Sequence, residues 1–191
     1  ILTGNKFMNR IVQKINYSYI EKFTECWIPD IAIDGGVAGL LSHPRMLPKI
    51  PVKYIGLLTR FSKSIPQKKY DLIVLLSGPE PQRSILERIV LQQLKNRIRK
   101  ILVVRGLPGE KIQIDPPSGS VQILSHLPAS ELNKVIEESE IVIARAGYTT
   151  IMDLLVLEKQ AILIPTPGQK EQEYLAKHLS KKKWFYSCTQ E

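Results

Sequence analysis

The sequence predicts an α/β fold, a doubly wound parallel sheet, and three observations carry that prediction. From about Tyr70 onward, short apolar runs alternate with stretches whose apolar residues recur at helical spacing. The runs are continuously apolar rather than alternating, as strands are when helices cover both faces of a sheet. Gly and Pro punctuate the boundaries between the two patterns.

Residues 1–60 are less regular. Phe7, Ile11, Ile15, Tyr19 and Phe23 recur every four residues, which predicts a helix with one apolar stripe. A strand-like Cys26–Ile28 follows, then a Gly- and Pro-rich stretch over 29–51, with 52–58 leading onward. These elements are too few for a core of their own, so 1–60 reads as the tail of a preceding domain and a connection. The second part, 61–191, opens with a strand over 71–77 and a helix over 82–94 that turns Ile85, Leu86, Ile89, Val90 and Leu94 to one side. Strands over 100–104 and 121–124 flank a proline-bearing loop over 106–119, and a helix over 130–138 has Leu132, Val135 and Ile136 inward.

The densest stretch is 141–174. It reads as strand (141–144), glycine turn at Gly147, helix bearing Ile151, Leu154 and Leu155, strand (161–164), proline turn at Pro165 and Pro167, and a helix over 171–179. In open parallel sheets ligands sit at the carboxyl ends of the strands, so 145–153 and 165–173 are where function is expected.

Composition narrows the class. A chain with 43% hydrophobic and 24% charged residues is ordinary globular material, and no apolar run approaches the roughly 20 residues that span a bilayer. Beginning at Ile1, the chain reads as a piece of something longer without a signal peptide. Cys26 and Cys188 have neither metal-ligand nor redox spacing, which fits a reducing compartment. The net charge of +9 includes clusters at Lys95, Arg97, Arg99, Lys100 and at Lys181, Lys182, Lys183. Solvated helix ends explain them best, attraction to an anionic membrane face or ligand comes second, and the want of interleaved aromatics argues against nucleic acid.

No dinucleotide-binding glycine motif, Walker sequence or Ser/His/Asp set is present, and His43, His126 and His178 stand apart from each other and from acid pairs. The Ser77-Gly78 turn leads into a helix, whose N-terminal amides make a ready phosphate site that Arg83 could assist, although Pro79 and Pro81 each remove a donor. Asp153 has two readings. With Thr150 it matches a capping box at a helix start; as an acid at a strand edge it matches a ribose ligand. Gln172 and Glu173 follow a proline-bounded strand end and so sit where a ligand would be met.

The segment ARAGYTTIMDLLVLEKQAILIPTPGQKEQEYLA resembles the C-terminal half of GT-B glycosyltransferases of the peptidoglycan N-acetylglucosaminyltransferase type. The likeness extends more loosely over 70–185, and CWIPD with YIGLLTRF looks like the end of the N-terminal domain and the interdomain connection. The resemblance implies a Rossmann-like donor domain over 61–191, truncated at its C-terminus, and a UDP-sugar as substrate with no metal and no cofactor. It implies that Ser77, Gly78 and Arg83 approach the diphosphate and that backbone at His126 and Leu127 reads the uracil. Arg145, Ala146 and Gly147 would form the turn beside the nucleotide, Asp153 would hold the ribose diol, and Gln172 and Glu173 would touch the sugar. The general base is expected outside this chain. Three departures from the family pattern stand out: Asp153 where Glu is usual, a proline-rich first loop, and Gln172-Glu173 in place of paired glutamines. The implied reaction is transfer of a hexose or N-acetylhexosamine to an acceptor hydroxyl in the cytoplasm; the sequence does not name the acceptor, a lipid-linked one met at the cytoplasmic membrane face being a candidate. A hydrolase or epimerase of the same fold, or a non-catalytic subunit needing a partner chain, are the alternatives.

Overall fold

The computed structural model describes residues 6–96, 98–110 and 114–190. In chain order the elements are α1 (Lys6–Ile20), β1 (Cys26–Ile28), β2 (Val52–Tyr54), β3 (Tyr70–Leu75), α2 (Gln82–Gln93), β4 (Ile101–Val104), β5 (Val121–Leu124), α3 (Ala129–Glu137), β6 (Ser139–Ala144), α4 (Tyr148–Val156), β7 (Gln160–Leu163), α5 (Lys170–Lys181) and β8 (Tyr186–Ser187). Strands β3 to β8 form one sheet in the order β5-β4-β3-β6-β7-β8. Every pairing in it is parallel.

The pleat explains the continuously apolar strands. Ile73, Leu102 and Val142 face a core shared with Ile136 of α3, Leu154 of α4 and Leu175 and Leu179 of α5. Their neighbours Val74 and Val103 face the other way, against Leu86 and Val90 of α2 and Leu94 just after it. Successive residues in the middle of these strands alternate between two dry layers, so both faces are apolar there. The order also creates one reversal of direction. From β3 the chain winds outward through β4 to β5, then crosses by α3 to β6 on the opposite side of β3. The carboxyl ends of β3 and β6 therefore flank the topological switch point, where a crevice opens.

Differences from the sequence reading are local. β3 ends at Leu75, before Ser77, because its ladder partners Val104 and Ala144 are the last residues of β4 and β6. β8 is only two residues long and carries no periodic signal, yet it closes the edge beside β7. β1 and β2 pair in parallel as a separate ribbon. Phe23 lies beyond the end of α1, whose stripe is uncovered: Phe7 is 70% exposed and Tyr19 61%. Asn5, Arg97 and part of the 106–119 loop fall outside the described residues.

Residues 30–61 join the core of the sheet. Val37, Ala38 and Phe61 are buried in the same cluster as α4 and α5. The loop that delivers the first two is organised by Asp30, which is wholly buried. Its carboxylate accepts the amides of Ile31 at 2.7 Å, Val37 at 2.8 Å and Ala38 at 2.9 Å, and the Ser42 hydroxyl at 2.5 Å. Burial works against the charge, but the Ser42 hydroxyl and the amides outweigh it and hold the carboxyl below its ordinary value. Gly36 has φ +63° and passes so close that a Cβ would lie 2.4 Å from an Asp30 oxygen. Outside the loop, the Tyr174 hydroxyl accepts the Leu40 amide and the Tyr148 hydroxyl donates to the Pro29 carbonyl, each at 2.8 Å. Lys182 donates to the Gly36 carbonyl at 2.8 Å and lies 4.6 Å from the Trp184 ring centroid. It fastens this loop instead of being a solvated helix end, because α5 passes directly behind it.

Asp30→Ala strands two buried amides and is expected to lower stability by about 3 kcal/mol in denaturant unfolding. Because the folded carboxyl is depressed, its contribution is present above the unfolded value and is lost as pH falls through the folded one. The gap between parent and variant should therefore close only in acid below the ordinary carboxylate range.

Candidate functional site

The carboxyl edge of the sheet gathers most of the residues singled out in the sequence. Leu75, Ala144 and Leu163 are in register on adjacent strands, so the turns after β3, β6 and β7 stand side by side. β5 ends two strands away from β3. There His126 is exposed, while Leu127 is turned into the core.

Arg145 binds the three turns together. It is 2% exposed, and its guanidinium donates to the carbonyls of Gln82 at 2.8 Å, Pro165 at 3.3 Å and Ile164 at 3.4 Å. Those carbonyls belong to the starts of α2 and of the β7–α5 turn. No carboxylate accompanies it among the described residues, Nε has no partner, and burial pushes the group down from its ordinary value. Its side chain is thus turned inward to backbone rather than toward the crevice. Ala146 is fully buried beneath it.

The β3–α2 turn leaves Ser77 and Gly78 exposed. Gly78 has φ +103°, and its missing Cβ would lie 3.7 Å from the Thr166 hydroxyl, which is buried without a partner. Arg83 is committed elsewhere. It is 5% exposed and pairs with Glu80 at 2.5 Å and Glu87 at 3.0 Å. Glu87 also receives Arg105, from the end of β4. Helical spacing of four residues sets Glu87 over Arg83, and the second arginine completes a buried cluster.

Gly147 caps α4 in an extended conformation, with no side-chain hydrogen bond and no acid in the first turn. This corrects the capping-box reading. The helix begins at Tyr148, so Thr150 already lies inside it and Asp153 is nearly two turns in. Among the described residues no side chain caps the first-turn amides, and the positive end of the helix dipole lies there. Asp153 is half-buried and accepts the Thr59 hydroxyl on Oδ1 at 2.5 Å. Burial raises its carboxyl above the ordinary value, opposed by Thr59 and by the charge of Arg60.

After β7, Gln172 accepts the Thr166 amide at 2.9 Å and donates to Gln169 at 2.6 Å. Glu173 accepts the Gly168 amide at 2.9 Å and pairs with Lys170 at 2.9 Å. Both side chains fold back onto the turn that precedes their own helix. Sequence reasoning missed Thr59, Thr166 and Asp30, since no spacing pattern links them to the strand ends. Glycines surrounding Asp30 were the one available signal.

Among the described residues no group of three or more His, Cys, Asp and Glu could hold a metal ion, and no helix is long and apolar enough to cross a membrane. A cleft of about 580 Å³ lies at the opposite, amino edge of the sheet, lined by Lys68, Lys69, Lys100 and Lys134. Its lysines neighbour Glu138 and Glu140, with which Lys134 and Lys68 pair, so volume there does not mark the ligand edge.

Comparison with solved structures defines the class. The spinosyn forosaminyltransferase SpnP superposes with a TM-score of 0.57 at 12% identity, over 86% of this chain and 41% of that one. The glycosyltransferase SnogD from Streptomyces nogalater gives 0.52 at 14% identity, over 81% and 42%. The fold is the Rossmann-like C-terminal domain of GT-B glycosyltransferases. Residues 76–190 match the Glycosyltransferase family 28 C-terminal domain, and the chain belongs to that family. Among curated relatives, a UDP-N-acetylglucosamine--N-acetylmuramyl-(pentapeptide) pyrophosphoryl-undecaprenol N-acetylglucosamine transferase of Buchnera aphidicola subsp. Schizaphis graminum (strain Sg) is 25% identical over 91% of this chain. The enzyme of the same name from Prochlorococcus marinus (strain MIT 9312) is 28% identical over 56% of it. The chain spans 64% of the first relative's length and 29% of the second's.

Arg145→Met removes the donor from three carbonyls and is expected to cost about 3 kcal/mol of stability, read as a lowered melting temperature. Glu87→Gln weakens both arginine pairs and should cost about 3 kcal/mol in the same assay, since one buried charge is lost and two are left underpaired.

Proposed function

We propose that this chain is the donor-binding domain of a glycosyltransferase that moves a hexose or N-acetylhexosamine from a UDP-sugar to an acceptor hydroxyl. The observation that carries the reading is Asp153, a half-buried carboxylate with a raised affinity for protons, carried nearly two turns along the helix whose uncapped start stands at the switch point of the sheet. A carboxylate kept partly dry at such a crevice suits the vicinal hydroxyls of a ribose. Open amides at Tyr148, Thr149 and Thr150 suit the diphosphate, a role the proline-rich Ser77-Gly78 turn can share only through its few donors. Uracil would be read by backbone at His126 and Leu127. Gln172 and Glu173 would face the sugar, and the acid among them bears on which hexose is accepted.

In the reaction the acceptor oxygen forms a bond to the anomeric carbon as the bond from that carbon to the β-phosphate oxygen breaks. The electron pair leaves with UDP, whose growing charge is met by the α4 amides and dipole. The acceptor's proton passes to a base outside this chain. Arg145 and Arg83 contribute by holding the turns, since both guanidiniums are turned inward. The relatives' names include an undecaprenol-linked acceptor, and a lipid-linked acceptor reached at the cytoplasmic membrane face is the corresponding reading for this protein.

Calorimetric titration with UDP tests the proposal. Saturable heat is expected, and its absence at millimolar UDP in a folded sample would sink the reading. Asp153→Asn should abolish most of that heat without loss of stability. The sign follows from the raised carboxyl: ionisation of Asp153 costs stability above its folded value, and the amide relieves that cost. For the same reason UDP affinity should fall on acidification at a pH above the ordinary aspartate range. Full-length protein should bind vesicles containing anionic lipid in a salt-sensitive way, and indifference to lipid charge would remove the membrane element.

A further inference from the structure

We infer that Thr59 is the positioning residue for the Asp153 carboxylate, and that it determines how strongly the protein prefers a ribose to a 2′-deoxyribose. The inference rests on the reading of Asp153 as the ribose ligand. Thr59 lies 94 residues earlier in the chain, in the segment that leads from β2 to β3. Its hydroxyl accepts the Phe61 amide at 3.0 Å and donates to Asp153 Oδ1 at 2.5 Å.

The direction of these two bonds matters. A hydroxyl has a single proton, and an amide pointed at its lone pair leaves that proton to be aimed elsewhere. Phe61 is 7% exposed and anchored in the same core cluster as Ile151 and Leu154 of α4. The hydroxyl is therefore oriented by the core, and it in turn stops rotation of the carboxylate. Among the described residues no donor reaches Oδ2, and that atom is not sealed from solvent. One oxygen is tied while the other, with the remaining lone pair of Oδ1, is held ready for two vicinal hydroxyls. Fixing a flexible acceptor before the ligand arrives lowers the ordering cost of binding.

A hydroxyl that merely fastened the connection to α4 would affect stability alone. The two roles separate in a comparison of UDP with 2′-deoxy-UDP on this chain, with melting temperature followed in parallel. The parent should prefer UDP. Thr59→Val, which keeps the shape, should weaken UDP by about tenfold while leaving 2′-deoxy-UDP nearly unchanged, so the preference collapses. Thr59→Ser keeps the hydroxyl and should restore the preference even if its melting temperature falls. In an Asp153→Asn background, Thr59→Val should add no further loss. Retention of the full ribose preference by Thr59→Val, whatever its melting temperature, overturns the inference while leaving the ribose reading intact. If the parent binds both nucleotides alike and Asp153→Asn binds UDP normally, the ribose reading fails and the inference goes with it.

Discussion

A single guanidinium holds the ligand edge in shape. Turns at the ends of parallel strands are attached to the sheet at one end only, and nothing in a ladder fixes one turn against its neighbour. Arg145 supplies that cross-connection by donating to the backbone of the α2 start and of the β7–α5 turn from a strand between them. It does so with a charge balanced only by carbonyl dipoles, an arrangement that a lysine could not reproduce because its donors radiate from one point. Gly78 lies against Thr166 across two of the turns joined in this way.

The strands and their helices were legible because two dry faces leave only one kind of residue acceptable. Runs such as Ile101–Val104 have no polar position to confuse the pattern. Tyr186–Ser187 was invisible for the opposite reason: two exposed residues at an edge obey no period. At the candidate site, the strand ends read from the sequence stand side by side, but the direction of their side chains was not legible. Arg83 reads as a cation near a phosphate turn, yet helical geometry sets Glu87 one turn away and draws it inward. Thr150 and Asp153 fit a capping box by spacing, and the helix simply began three residues sooner than that motif requires.

Residues 30–61 show how a connection acquires structural weight. Asp30 folds a glycine-containing loop around its own charge, and that loop then places Val37 and Ala38 in the core built by α4 and α5. Farther along, the same connection delivers Phe61 to that core and Thr59 to Asp153. The sheet and the segment before it are thus linked at Asp153, within the candidate site.

On the proposed reading, Gln172 and Glu173 would give the sugar end of the crevice a thermodynamic character of its own. In the free protein both are engaged, with the amides of Thr166 and Gly168 as their partners. A hexose hydroxyl recognised there would take over bonds that already exist, so little enthalpy would be gained and the turn before α5 would lose its brace. Recognition at such a place works as an exchange: a sugar that returns a bond for each one it displaces is admitted at no penalty, and one that cannot leaves an amide stranded. Such an end would favour discrimination among sugars over tightness of binding, leaving affinity to the nucleotide.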